Sequence, residues 1–149
     1  MSRIKIEVPG HFSFAAIIPI RITDINYGGH VGNDSILSII HEARMLFLKE
    51  YNYEELNLEG AGLIMSDVAI EFKNELFYGD QLKVYVKAGN FSKVAFSIYY
   101  KLEKENTGQE NKIIAVAKTG MVCYDYKKKK VTPIPASALA KLNDSLLPG

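Results

Sequence analysis

The chain has 149 residues, of which 48% are apolar and 23% charged. It is long enough to bury a core and too apolar to be wholly disordered. Eighteen basic and seventeen acidic residues leave a formal charge of +1, which argues against nucleic acid as the main partner. No run approaches about 20 uninterrupted apolar residues, so no membrane span is expected. A lone cysteine, Cys123, excludes an internal disulfide and fits a reducing compartment. The opening Met1-Ser2-Arg3-Ile4-Lys5-Ile6-Glu7 lacks the apolar core of a signal peptide, so the expected address is the cytoplasm. No repeat, low-complexity tract or composition shift divides the chain, and one domain over residues 1–149 is expected.

In chain order, Phe12 to Thr23 is apolar and β-branched, which predicts a strand. Pro19 within it points to an edge or a bulge, because proline cannot donate to a ladder. A turn follows from Asp24 to Asn33, with Gly28, Gly29 and Gly32 supplying positive φ and Asn26 and Asn33 supplying side-chain bonds to backbone. Asn33, Asp34 or Ser35 then caps a predicted helix that runs to about Glu50. Ile36, Leu37, Ile39, Ile40, Ala43, Leu46 and Phe47 cover most of its circumference. A helix that apolar is expected to be wrapped on most sides, with a narrow polar stripe through Ser38, His41 or Glu42, Met45 and Lys49.

The remainder reads as strands. Leu63 to Lys73 is one. Gln81 to Ala88 alternates Leu82, Val84 and Val86 with Lys83, Tyr85 and Lys87. Val94 to Glu103 and Lys112 to Tyr126 follow, joined through Asn106-Thr107-Gly108. Lys127 to Lys130 reads as a hairpin tip returning through Val131 to Ile134. Pro133 and Pro135 end the sheet before a short helix from Ala136 to Leu146. Strand, long helix, then consecutive strands joined by short polar loops is an α+β pattern with an antiparallel sheet.

The glycine turn is where chemistry concentrates. It ends a strand and begins a buried helix, whose first N–H groups are unpaired and carry partial positive charge. Such a place holds an oxyanion or polarises a carbonyl. Asp24, Asn26, His30, Asn33 and Asp34 surround it. The plainer account is a loop whose Asx side chains hold the turn and cap the helix, and spacing alone leaves both open. No Walker loop, dinucleotide fingerprint, Gly-x-Ser-x-Gly elbow or His-Glu-x-x-His motif is present. His11, His30 and His41 do not fall at metal-ligand spacing, so neither a metal nor a cofactor is expected. Cys123 in an apolar strand reads as a packed core residue. The lysine run reads as a solvated turn.

Asp24-Ile25-Asn26-Tyr27-Gly28-Gly29-His30-Val31-Gly32-Asn33, followed by Ile39-Ile40-His41-Glu42-Ala43-Arg44, resembles the signature of hotdog-fold acyl-CoA thioesterases of the 4-hydroxybenzoyl-CoA thioesterase-like group. The pattern there is roughly Asp-x-Asp-x-x-Gly-His-Val-Asn-Asn, then a helix ending near Glu-x-Ala-Arg. Ile70-Glu71-Phe72, Tyr78-Gly79-Asp80-Gln81-Leu82 and Pro133-Ile134-Pro135 extend the likeness over about residues 14–145. The resemblance implies a hotdog fold, with a curved antiparallel sheet around one long helix. It implies a homodimer or homotetramer, active sites at the subunit interface, and a thioester carbonyl polarised by a backbone N–H from the Asn33 region. It also implies that the phosphates of CoA meet Ser92 and Lys93, with Lys127 to Lys130 as a possible helper.

One departure matters. The second Asp of the family pattern commonly acts as nucleophile or base, and here Asn26 stands in its place. An amide takes no proton at neutral pH and is a poor nucleophile. The helix start likewise carries Gly32 where the pattern has Asn. Plant acyl-ACP thioesterases, similar in fold, use Asn and His together with carboxylates near an equivalent turn. By that likeness the catalytic candidates are Asp24, Asn26, His30 and Asn33. Asn26 and His30 would orient a water that Asp24 activates, with Asp34, Asp67 and Glu71 in reserve. Gly29, Asp67, Ser92 and Lys93 are the candidate substrate contacts. The expected activity is hydrolysis of a fatty or aromatic acyl-CoA, or acyl carrier protein thioester, to free acid and thiol. The alternative is a hotdog protein that binds acyl-CoA or fatty acid without hydrolysing it.

Overall fold

The computed structural model describes residues 4–106 and 108–144. Met1, Ser2, Arg3, Thr107, Ser145 and Leu146, which carried parts of the expected N-terminus, loop and terminal helix, lie outside them.

Strand β1 (Phe14–Pro19) leads through a single 3-10 turn (Ile22–Asp24) to helix α1 (Asn33–Glu50). Strands β2 (Gly62–Phe72), β3 (Gln81–Gly89), β4 (Ala95–Lys104), β5 (Lys112–Asp125) and the short β6 (Lys130–Val131) follow, then helix α2 (Ala136–Asp144). All pairings are antiparallel, in the order β1-β3-β4-β5-β2, with β6 on β5. The α+β expectation holds: one antiparallel sheet packs against one long helix.

β1 is shorter than its apolar run. It stops at Pro19, opposite Gln81 on the edge of the sheet, where a missing N–H costs no ladder bond. β3 buries Leu82, Val84 and Val86 completely, as its alternation predicts. Lys87 breaks the pattern and is buried. Its stem lies along the sheet while Nζ donates to the His11 carbonyl at 2.8 Å. β2 carries a bulge between Met65 and Asp67, so Ser66 is the extra residue and the strand bends there. The lysine run does form a turn. Asp125 Oδ1 accepts the N–H groups of Lys127 and Lys128, both at 3.0 Å.

α1 buries Ile36, Ile39, Ile40, Ala43, Phe47 and Leu48. Each large apolar side chain contributes about 1.5–3 kcal/mol by leaving water. Phe47 sits edge-on to Phe14 at 5.6 Å and to Tyr51 at 5.4 Å, which ties the helix to β1. Two expectations are corrected. The N-cap is Gly32, not Asn33, Asp34 or Ser35, and it offers no side-chain bond. Leu37 is 39% exposed, so the wrapping leaves one side of the helix open.

Arg44 is buried although charged. Its Nε donates to Glu55 Oε2 at 3.3 Å and its Nη1 to the Tyr100 hydroxyl at 3.3 Å. That hydroxyl bonds Thr119 Oγ1 at 2.8 Å. Every buried side-chain polar atom among the described residues is satisfied, as a low-dielectric interior requires. Burial pushes the Tyr100 phenol above its ordinary value, against the opposing charge of Arg44.

Candidate active site

The glycine turn is held by its own backbone. Asn26 N–H donates to the His30 carbonyl at 2.9 Å, Gly29 N–H to the Asn26 carbonyl at 3.1 Å, and Gly32 N–H to the Asp24 carbonyl at 3.1 Å. Gly29 takes a φ of +86°, which suits a residue without Cβ. Asn26 Oδ1 accepts the Gly28 N–H at 2.9 Å, closing an Asx turn. His30 Nδ1 lies 3.1 Å from the Val31 carbonyl. A carbonyl only accepts, so Nδ1 is the donor in this contact and Nε2 is left without a partner among the described residues. Asn26 Oδ1 and His30 Nε2 both flank Gly28, at 3.2 and 3.5 Å from where a Cβ would stand. A Cβ on Gly32 would meet Asp34 Oδ1 at 2.6 Å. The departure from the family pattern at Gly32 is therefore matched to a crowded helix start.

Beyond this turn lies a cavity of about 240 Å³. His30, Val31, Asn33 and Ile36 line one side of it. Phe72, Lys73, Asn74, Glu75, Leu76 and Ile114 line the other. Because Gly32 has no side-chain oxygen, the first-turn N–H groups of α1 are left for solvent or a ligand. A backbone bond joins the two walls, Val31 N–H to the Leu76 carbonyl at 2.8 Å. The second wall is pinned to β5 through Lys73 N–H and Asn74 N–H, both on the Ile114 carbonyl. Asn74 Nδ2 also donates to the Ile113 carbonyl at 2.7 Å.

The structure brings His30 and Asn33 to this cavity, with Asn26 and Gly29 in the adjoining turn. It does not bring Asp24. That carboxylate is buried, accepts the Arg21 N–H at 2.8 Å and pairs with the Arg21 guanidinium at 3.3 Å. It faces a separate depression beside Ser38 and Glu42. Asp67 and Ser92 meet in a third depression at the β2 bulge, near Asn90, Ser97 and Lys118. Asp67 Oδ1 lies over Gly120, where a side chain would collide with it. Ser92 Oγ is spent on Ala95, donating to its carbonyl at 3.1 Å and accepting its N–H at 3.2 Å. Lys93 lies outside the lining of that depression, and its carbonyl accepts the Ile134 N–H at 2.9 Å. The reserve carboxylate Glu71 accepts the Ile6 N–H at 3.1 Å and pairs with Lys73 at 3.4 Å.

Lys73, Asn74 and Glu75 line the candidate site, and the sequence reading missed them. Their signal was only a polar run between an apolar strand and the Tyr78-Gly79-Asp80 turn. What places them is the Val31–Leu76 bond, which links segments 45 positions apart. Cys123 is buried, and burial pushes its thiol up to about 11, so it is no thiolate nucleophile near neutral pH. Among the described residues no group of three or more His, Cys, Asp or Glu is placed to hold a metal ion. No helix among them is long and apolar enough to cross a membrane.

An antiparallel sheet against one long helix, with an open helix start facing a cavity, defines the hotdog class of proteins. Residues 20–142 match the thioesterase-like superfamily, and the chain belongs to it. By family it is a thioester hydrolase of the acyl-CoA thioesterase kind. A protein of Aquifex aeolicus (strain VF5) with a provisional esterase description is 29% identical over 118 residues, covering 78% of this chain and 87% of its own length. A 1,4-dihydroxy-2-naphthoyl-CoA thioesterase from Synechocystis has the same fold. It superposes with a TM-score of 0.79 at 22% identity, over 91% of this chain and 98% of its own. So does an Asp-to-Asn variant of 4-hydroxybenzoyl-CoA thioesterase complexed with 4-hydroxybenzoyl-CoA, with a TM-score of 0.78 at 15% identity, over 87% and 97% of the two chains.

Proposed function

We propose that this chain hydrolyses a fatty or aromatic acyl thioester, carried on CoA or acyl carrier protein, to a free acid and a thiol. One observation carries the reading. The start of α1, where Gly32 offers no capping side chain, opens with His30 and Asn33 onto a cavity walled by Ile36, Phe72, Leu76 and Ile114. The thioester carbonyl points at the first-turn N–H groups near Asn33, where negative charge developing on oxygen is stabilised. Asn26 and His30 shape the turn and orient water. Asp24 acts as a positioning residue, holding the turn through Arg21 and Gly32. No cofactor beyond the substrate is needed.

The working unit is a homodimer or homotetramer of single-domain chains in the cytoplasm. β2 is an edge of the sheet and exposes Ile64, Met65, Val68 and Phe72. An exposed apolar edge strand is a pairing surface. The depression of Asp67 and Ser92, with Lys93 beside it, would then receive the nucleotide end of CoA across that interface.

Thiol release against a panel of acyl-CoAs, with a sizing measurement alongside, tests the reading. Uniform inactivity at concentrations that bind ligand overturns it. The second reading is an acyl-CoA-binding protein without turnover, favoured by the amide at Asn26, whose Oδ1 is already engaged by Gly28. Asn26→Asp separates the two. If the substitution creates turnover in an inactive parent, the binding reading stands. We expect it instead to lower an existing kcat by about tenfold, because a second carboxylate then joins Asp34 at the helix start.

A further inference from the structure

We propose that Glu75 is the carboxylate that activates the attacking water, in place of the acidic side chain that Asn26 lacks. The assignment rests on the thioesterase reading and deepens it.

Glu75 is the one carboxylate among the residues lining the cavity with His30 and Asn33. The other carboxylates near the turn lie outside that lining, Asp34 among them, whose Oδ1 packs beside Gly32 at the helix start. Asp24 pairs with Arg21 and faces a different depression. Asp67 lies at the β2 bulge. Glu71 holds the Ile6 N–H and Lys73. Asp80 pairs with Lys104 at 3.1 Å and accepts the Phe77 N–H at 2.8 Å. Glu75 has no hydrogen-bond or ion-pair partner among the described residues, so its oxygens are free for a water.

Its backbone is not free. Lys73 and Asn74 are pinned to Ile114 on one side of it, and the Leu76 carbonyl is pinned to Val31 on the other. A general base needs a fixed position as much as basicity, and Glu75 sits between two anchors. Its charged and titratable neighbours in the cavity wall are His30 from the glycine turn and Lys73 beside it. Lys104 and Lys112 lie in the depression that adjoins the cavity at Lys73, Asn74 and Glu75.

The step balances as follows. Water oxygen bonds to the thioester carbon while the Glu75 carboxylate takes one of its protons and His30 Nε2 accepts the other hydrogen in a hydrogen bond. The carbonyl π pair moves to oxygen, facing the first-turn N–H groups of α1. Collapse re-forms the C=O bond and breaks C–S. The departing thiolate takes the proton from Glu75, which returns to carboxylate.

Glu75→Gln keeps the size of the side chain and removes its basicity. We expect kcat for the best acyl-CoA of the panel to fall about 10²–10⁴-fold, the usual contribution of a positioned base. Affinity for a thioether analogue lacking the scissile carbonyl should stay within about threefold, with an unchanged melting temperature. Formate should restore turnover to Glu75→Ala in proportion to its concentration, which a merely structural role would not allow. An active parent whose Glu75→Gln variant keeps kcat within about tenfold overturns the assignment alone. So does a variant that loses analogue binding together with turnover and is not rescued by formate. A parent that binds the analogue but hydrolyses no thioester overturns the assignment and the thioesterase reading together.

Discussion

The two ends of α1 solve opposite problems. At the C-terminal end, Arg44, Glu55, Tyr100 and Thr119 form one connected chain of bonds, and Phe47 and Leu48 are wholly buried. At the N-terminal end, Gly32 leaves the first turn without a side-chain partner, and His30 turns Nδ1 to the Val31 carbonyl at the margin of a cavity. The same helix is therefore finished where it stabilises and unfinished where it meets the candidate site. Under the proposed function, free energy forgone at the open end is what lets that end hold a developing negative charge.

Substitutions can break the comparison from either side. The largest effect is expected at the finished end. Phe47→Ala removes a fully buried ring and should cost about 3–5 kcal/mol of stability, read by denaturant unfolding. Turnover per folded molecule should change little. At the open end, His30→Ala should lower kcat about 100-fold while moving the melting temperature by no more than a few degrees. Unchanged turnover in that variant would remove His30 from the mechanism. The smallest effect is on alkaline stability. Burial raises Cys123 to about 11, and burial with the Glu59 carboxylate raises Tyr53 to about 12. Both hold their protons more tightly folded than unfolded. Their stabilisation is therefore complete below pH about 9 and is lost as pH climbs toward 11–12. Unfolding free energies measured at pH 8 and pH 10.5 should differ in that direction, and Cys123→Ala should remove the part that begins near pH 9.

The buried faces were the easier to read from sequence. Helical spacing of Ile36, Ile39, Ile40, Ala43 and Phe47 marks a buried face whatever the partner, and the alternation of Leu82, Val84 and Val86 marks a strand. Both are local patterns, so both survive in a single chain of letters. Arg44 did not show, because its burial depends on Tyr100 and Thr119 lying beneath it. The site was half visible. The turn from Asp24 to Asn33 announces itself by glycine and Asx residues. The opposite wall at Lys73, Asn74 and Glu75 has no local pattern and is defined only by tertiary hydrogen bonds. Asp24 misled for a related reason. Its spacing places it in the turn, and only the Arg21 contact shows which way its carboxylate faces.

The bond from Val31 to Leu76 has an evolutionary consequence. Surface loops ordinarily absorb insertions at little cost. These two are tied by that bond, so a residue added to either one is expected to displace the opposite wall. New substrate preferences in this lineage are therefore expected to arise by exchanging side chains on walls of constant length, at positions such as Ile36, Phe72 and Ile114.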